Sequence, residues 1–403
     1  MEFVPPVSRP EHVPQDLVVD FDFLNLSGSE DDIQEAYQRF QQNYPDIFWT
    51  PHNGGHWVAT RAEDIIHMQR TTDIFSNRMV TLPPYPDGTP PQLPLELDPP
   101  RHAQYRRPLM QFLTPGSVKH LEDGVRKVAV DQIELLVPQG ECEFVEDFAK
   151  VLPIHVFLDA VDLPRKDKDM LLPIAEKSVR ARKMEERIGA QQAMGAYLLD
   201  WVRQRRENPG DDLLSKIVTV EVDGQMISEA EAVNYSTLVL FGGLDTVAGM
   251  IGLIGKFLAE HPAQRRELAA NLGDSKFVRN AIEEMIRRHG IANTARVLTQ
   301  DHDYKGIRFH KGDRILPPNL LAGVDDRANA DPLAVDFSRK RPAHAAFGNG
   351  PHACPGAVLA RREITVFLEE WLTRIPEFQV KPGTRPVLAT GQVNGILRLD
   401  LVW

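Results

Sequence analysis

Phe347-Gly348-Asn349-Gly350-Pro351-His352-Ala353-Cys354-Pro355-Gly356 places a single cysteine in a glycine-punctuated turn, and the fold turns on how that stretch is read. A helix-forming run, Ala357-Val358-Leu359-Ala360-Arg361-Arg362-Glu363, follows at once. A thiolate there sits at a helix N-terminus, where free backbone N–H groups and the helix dipole favour negative charge. Gly348, Gly350 and Gly356 can adopt angles closed to other residues and let a flat ligand approach the main chain. The cysteine could be a nucleophile, half of a disulfide or a metal ligand. A nucleophile wants a histidine base, and His352 is near in sequence, which by itself proves little. A zinc site wants three or four Cys/His ligands, and Cys354 has no cysteine partner in its loop.

Composition narrows the setting. A net charge of −11 argues against nucleic acid as a partner, because phosphate binding needs a basic footprint. With only Cys142 and Cys354, no disulfide framework is available, and Cys142 in Gln139–Phe144 reads as a packed strand residue. Met1–Pro10 lacks an export segment, and no run reaches the ~20 apolar residues that span a bilayer. The expectation is a cytoplasmic protein without a membrane anchor: one mainly α domain over residues 1–403, small β-sheets at its edge, a monomer.

Along the chain, residues 1 to about 30 are proline-spaced and are expected to wrap the surface. Helices are expected over 31–44, 61–70, 115–136, 145–160, 165–176, 190–208 and 357–374, with a hairpin at 52–60 and another at 218–227. Eight prolines between Thr81 and Pro100 exclude a regular helix or central strand. Leu82, Tyr85, Leu93, Leu95 and Leu97 among them favour an ordered loop over a pocket. A helix carrying Arg101, His102, Arg106 and Arg107 follows, with His102 and Arg106 on one face. The longest helix starts at the capping box Ser228-Glu229-Ala230-Glu231 and runs to Pro262, roughly 50 Å at 1.5 Å per residue. It is apolar around most of its circumference and should be central.

Two further constellations stand out. Phe241-Gly242-Gly243-Leu244-Asp245-Thr246 puts two glycines inside that helix, each costing roughly 1 kcal/mol against alanine. A kink or the close approach of a flat ligand would explain them; equally, Thr246 could bond back to a carbonyl one turn earlier and Asp245 could form a buried ion pair. Glu284-Met285-Ile286-Arg287 pairs a carboxylate with a guanidinium one turn apart, which alone usually means surface charge.

Taken together and in order, Gly242-Gly243-x-Asp245-Thr246, Glu284-x-x-Arg287 and Phe347-x-x-Gly-x-x-x-Cys354-x-Gly356 resemble the signature set of cytochrome P450 monooxygenases. Similarity to the bacterial camphor 5-monooxygenases extends to Asn53–Trp57, Leu359–Glu363, Glu370–Pro376 and Leu401–Trp403. The resemblance implies haem b (iron protoporphyrin IX) as cofactor and O2 as cosubstrate. It makes Cys354 the axial iron ligand and Asp245 and Thr246 the residues that deliver protons during dioxygen activation. His102, Arg106, Arg296 and His352 fall at haem-propionate positions, Gly242 and Gly348 lie against the ring, and Glu284 and Arg287 form a buried structural pair. Leu238, Phe241, Ala292, Gln392 and Val393 would line the substrate pocket. A [2Fe-2S] ferredoxin with its reductase is the implied electron source, docking near Arg106, Arg341 and Arg361.

Departures from that pattern shape the substrate. Camphor monooxygenase holds its ketone with a tyrosine eight residues before an Asp-Pro-Pro; here that position is Pro90, and Tyr85 is displaced from it. Phe241 is larger, and Gln392 more polar, than the aliphatic residues expected there. A terpenoid, norisoprenoid or other small apolar molecule is therefore expected rather than camphor. Pro355, directly after the cysteine, removes one N–H that could bond the sulfur. The alternatives are a haem-thiolate peroxygenase and a non-catalytic haem sensor; retention of the Asp245–Thr246 pair speaks against both.

Overall fold

The long apolar helix is continuous and forms the spine. Labelled in chain order, the helices are α1 (Ile33–Asn43), α2 (Ala62–Arg70), α3 (Arg101–Phe112), α4 (Pro115–Leu136), α5 (Val151–Ala160), α6 (Lys168–Arg180), α7 (Met184–Glu207), α8 (Leu213–Val218), α9 (Glu229–Glu260), α10 (Pro262–Ala270), α11 (Ser275–Arg288), α12 (Asn319–Gly323) and α13 (Ala357–Arg374). This computed structural model describes residues 5–181 and 183–403.

The capping box at the start of α9 is formed: Ser228 accepts from the Glu231 amide, and the Glu231 carboxylate accepts from the Ser228 amide. Along its 32 residues α9 packs on α5, α6, α7, α8 and α13, so apolar side chains nearly all round it find partners. It is the one helix among the described residues long and apolar enough to cross a membrane, and two-thirds of its most apolar window is buried inside the protein. One apolar cluster joins α4, α5, α9, α11 and α13 around the fully buried Trp371. A second joins α5, α7, α8 and the first half of α9.

The largest sheet has strand order β1-β2-β10-β7-β3, from Ile47–Thr50, His56–Ala59, Arg314–Leu316, Arg296–Leu298 and Phe75–Ser76. Trp49 opposite Trp57 fixes the register of the first hairpin. The remaining strands are short ribbons: β4 (Glu141–Glu143) joins β11 (Gln379–Val380) and β14 (Asp400–Val402), while β5–β6 (Glu221–Val222, Gln225–Met226), β8–β9 (His302–Tyr304, Ile307–Phe309) and β12–β13 (Val387–Ala389, Gly395–Arg398) are hairpins.

The N-terminal stretch departs from expectation. Residues 1–4 lie outside the described residues, and Val13, Val19, Phe21 and Phe23 are buried rather than draped on the surface. The expected helix over 145–160 opens with a π-helical turn at Val145–Ala149, and Cys142 is a buried, unpaired strand residue as read from the sequence.

Candidate functional site

Two residues that ought to be sealed keep free surface: Gly242 at the middle of α9 and Cys354 at the foot of α13. Gly242 belongs to a helix otherwise packed in the core, and burial dominates at the Cys354 sulfur despite its free surface, so the surface they show borders an internal space.

The cysteine loop is built by its glycines. Gly348 and Gly350 take φ of 70° and 67°, in the left-handed region. A Cβ on Gly350 would fall 2.8 Å from the Gln69 carbonyl oxygen at the end of α2, so the loop packs where no side chain fits. The Cys354 amide donates to the Phe347 carbonyl at 2.7 Å, closing the turn. No side chain caps α13 at Gly356. The amides of Gly356 and Ala357 instead face the Cys354 sulfur and favour its charged form. Burial nevertheless raises the thiol's pKa, against the pull of those amides and of the Arg106 and Arg361 charges. An unliganded thiol here is held neutral, and a bound cation would be needed to make it a thiolate.

In α9 the two glycines have different causes. A Cβ on Gly243 would lie 2.2 Å from a ring carbon of Phe157 on α5, so Gly243 permits helix contact. A Cβ on Gly242 would meet nothing within 4 Å. Leu238, Gly242 and Thr246 are spaced four apart and share one partly exposed face. Thr246 Oγ1 donates to the Gly242 carbonyl at 2.8 Å, and Asp245 is buried and ion-paired with Arg180. Both of the structural roles open to that pair in the sequence are thus realised. Burial pushes the Asp245 carboxyl up while Arg180 opposes, and Asp245 Oδ2 has no partner among the described residues. Phe241, expected to line the pocket, is a correction: it is buried in the second apolar cluster with Phe157 and Leu244. One helical step rotates it about 100° from Gly242 and off the open face.

Four nitrogen-bearing side chains converge beside the cysteine loop. The His102 and His352 rings are 4.1 Å apart between centroids, and the Arg106 and Arg296 charges are felt at His352. Burial, reinforced by those neighbours, pushes His352 down to about 2 and His102 to about 4. Burial pushes Arg296 down to about 10. His102 Nε2, both His352 ring nitrogens and Arg296 Nε have no hydrogen-bond partner. Each neutral imidazole offers one N–H donor beside the Arg296 charge; buried donors left unsatisfied are costly, and an anionic group with several oxygens would accept from them together. Arg106 donates to the Ala353 carbonyl, tying α3 to the loop.

Behind the loop, Glu284 and Arg287 are both fully buried, not surface charge. Arg287 donates twice to Glu284, at 2.7 and 2.8 Å, and to the carbonyls of Gly323, Pro332 and Ala334. The pair therefore fastens α11 to the segments leading to the cysteine loop. Ala292 and Val393 form an isolated antiparallel bridge, and both keep partial exposure. Gln392 is half-buried, but its amide donates to the Leu82 carbonyl at 2.8 Å, so it ties down the proline-rich loop. Of the arginines expected to dock a partner, Arg361 is bound to Glu283 through two nitrogens and stacked over Phe347, and Arg106 is half-buried; Arg341 alone is exposed.

Two groups were missed in the sequence. Arg180 ends α6 with no local signal of its partner. Glu363 on α13 is fully buried, and burial alone raises its pKa well above the ordinary carboxylate value. Its apolar neighbours Ile364, Val366 and Phe367 were the available clue.

The cytochrome P450 family profile matches residues 168–400. A probable cytochrome P450 127A1 from Sinorhizobium fredii is 32% identical, covering 98% of this chain and 96% of its own length. A methyl-branched lipid omega-hydroxylase from Mycobacterium bovis is 28% identical, covering 94% of this chain and 93% of its own length. The crystal structure of CYP101J2 superposes with a TM-score of 0.88 at 34% identity, over 98% of this chain and 99% of the other.

Proposed function

We propose, for a chain that belongs to the cytochrome P450 family and is a haem-dependent monooxygenase, that it hydroxylates an unactivated C–H bond of a small apolar substrate, with Cys354 as axial ligand. Haem b is the cofactor and dioxygen the cosubstrate; the bound group supplies dioxygen activation and the transferred oxygen atom. The observation that carries the assignment is Cys354: a lone thiol with two amides aimed at it, bordering an internal space.

The donors at His102, Arg106, Arg296 and His352 fit the propionates, whose carboxylates would satisfy the orphaned nitrogens. Gly242 and Gly348 leave the backbone bare for a flat ring. Asp245 would pass protons inward: burial raises its affinity for a proton, and rotation away from Arg180 would carry that proton toward the open face of α9. The Thr246 hydroxyl, one residue on, would hold the proton or a water at the reacting end once it leaves the Gly242 carbonyl. Leu238, Ala292 and Val393 would present an apolar wall to the substrate, with Gln392 closing the loop above it. A terpenoid or norisoprenoid fits that wall, and the relative named for methyl-branched lipid hydroxylation agrees with an apolar substrate.

A [2Fe-2S] ferredoxin is the proposed donor. Arg107, Lys340 and Arg341 are exposed around the cysteine loop of a protein with net charge −11, giving an acidic carrier a local target. Turnover under isotopically labelled dioxygen, with a ferredoxin, its reductase and NADH, tests the reading. One labelled atom per product molecule supports it; product formed only with added peroxide would replace it with the peroxygenase alternative.

A further inference from the structure

Among the described residues six arginines are buried: Arg61, Arg187, Arg265, Arg287, Arg288 and Arg296. Arg61, Arg265, Arg287 and Arg288 each pair with at least one carboxylate. Arg296 belongs to the donor cluster beside the cysteine loop. Arg187 remains.

Arg187 lies in the first turn of α7 and is 4% exposed. Its Nε donates to the Ala181 carbonyl at 2.6 Å, and no carboxylate among the described residues pairs with it. Burial lowers its pKa, and the group opposing that is the Tyr85 phenol. A buried guanidinium without an anion costs several kcal/mol, and evolution normally gives it a partner.

Its place in the fold follows from the packing of α7 on α9. Arg203 bonds Glu229 at 3.0 Å, and a Cβ on Gly195 would lie 3.3 Å from Val233 and 3.9 Å from Thr237. The two helices are therefore antiparallel. Arg187 stands two turns before Gly195, about 12 Å along the axis, which brings it level with residues 241–245. Arg180, just upstream, reaches Asp245 independently. Arg187 is thus level with the stretch of α9 that carries Gly242 and Thr246.

Tyr85 completes the patch. Gln191, one turn along α7 from Arg187, donates to the Tyr85 oxygen at 2.8 Å, which leaves the Tyr85 O–H free to donate. The same loop is fastened at Leu82 to Gln392, and a Cβ on Gly395 would lie 3.0 Å from Arg180 Nη2. The proline-rich loop, the α6–α7 turn and the C-terminal turn therefore close over one region of α9, with two free donors of the same patch beneath them.

We propose that Arg187 and the Tyr85 hydroxyl form a carboxylate-binding subsite in the roof of the substrate cavity, so that the substrate is an apolar acid held by its carboxylate at one end. This rests on the monooxygenase reading above and names its substrate class. The carboxylate takes two or three charge-assisted hydrogen bonds and neutralises the buried cation, while the hydrocarbon body extends toward the open face of α9.

The test uses the ferric holoenzyme and reads the substrate-induced change in haem spin state. Geranic, citronellic and cyclohexylacetic acids are each titrated against their own methyl esters, which keep the shape and lose the charge. Acids binding at least about tenfold tighter than their esters, with that ratio collapsing toward one in Arg187→Leu and partly kept in Arg187→Lys, is the expected result. Tyr85→Phe should reduce the ratio by less than Arg187→Leu does. Acids that bind no tighter than their esters, including the case in which neither binds, overturn the subsite. A ratio unchanged in Arg187→Leu overturns it too, and leaves Arg187 as a brace on the α6–α7 turn. A chain that fails to give a thiolate–CO spectrum instead overturns the haem-thiolate reading, which keeps the two failures apart.

Discussion

Gly243→Ala should destabilise this protein and Gly242→Ala should not, although the two residues are adjacent in one helix. On propensity alone either change stabilises α9 by about 1 kcal/mol. At Gly243 the new methyl would lie 2.2, 2.5 and 2.9 Å from three carbons of the Phe157 ring. Carbon atoms pack at roughly 3.5–4.0 Å, so α5 and α9 must part by over about 1 Å. Phe157 is 7% exposed in the core and cannot swing into solvent. Overpacking of this kind costs about 1–3 kcal/mol, and a ring against a helix backbone belongs at the upper end. The net is a loss of about 1–2 kcal/mol. At Gly242 nothing stands within 4 Å, so the propensity gain survives in the polypeptide, while the methyl intrudes on the face assigned to the haem. Urea unfolding followed by far-UV circular dichroism should show a lower midpoint for Gly243→Ala with an unaltered slope. Phe157→Leu added to Gly243→Ala should recover part of the loss, as coupled neighbours do. Gly242→Ala should raise the midpoint of the haem-free polypeptide slightly and disturb the Soret band of the haem-loaded protein. A Gly243→Ala protein as stable as the parent, or one that Phe157→Leu does not rescue, refutes the packing account.

Arg287→Leu leaves the buried Glu284 carboxylate with Arg339 and the Asp336 amide but strands three carbonyls, and should cost about 3 kcal/mol, read as loss of haem-loaded soluble protein. Arg296→Leu should speed haem loss to apomyoglobin while raising the stability of the haem-free polypeptide, because it removes an uncompensated buried cation. Burial pushes the Glu283 carboxyl up, but bonds from Arg361 and His344 win and hold it at about 2 against an ordinary 4.5. A depressed folded value means stability present above 4.5 and lost as pH falls toward 2, so Glu283→Gln should flatten acid unfolding in that window. Pro355→Leu restores an amide beside the sulfur and should raise the haem reduction potential; potentiometry showing no change, or a fall, would sink that expectation.

Much of the fold was legible because its signals are local. The helix expected from Pro115 starts there with Thr114 as its cap, and the Ser228–Glu231 box starts α9 as expected. The cysteine loop was legible because glycines at fixed offsets have few other uses. What escaped depends on partners distant in sequence. The burial of Glu284–Arg287, which the structure shows, was read only through the family resemblance, because the carbonyls at Gly323, Pro332 and Ala334 that decide it are named by no local pattern. Phe241 and Gly242 differ in exposure only because α5 and α7 cover one side of α9 and not the other. Gln392 looked like a pocket lining and became a fastening for Leu82, a contact spanning most of the chain. Arg187 carries no motif at all; only the lack, among the described residues, of a carboxylate paired with it makes it conspicuous.

The central claim is that Cys354 binds haem iron as a thiolate. The absorption spectrum of the dithionite-reduced, CO-treated protein tests it most directly, with Cys354→His and Cys142→Ser beside the parent. The parent and Cys142→Ser should show the long-wavelength thiolate–CO Soret band, and Cys354→His should bind haem without it. A parent lacking that band, or a Cys354→His protein that keeps it, contradicts the account.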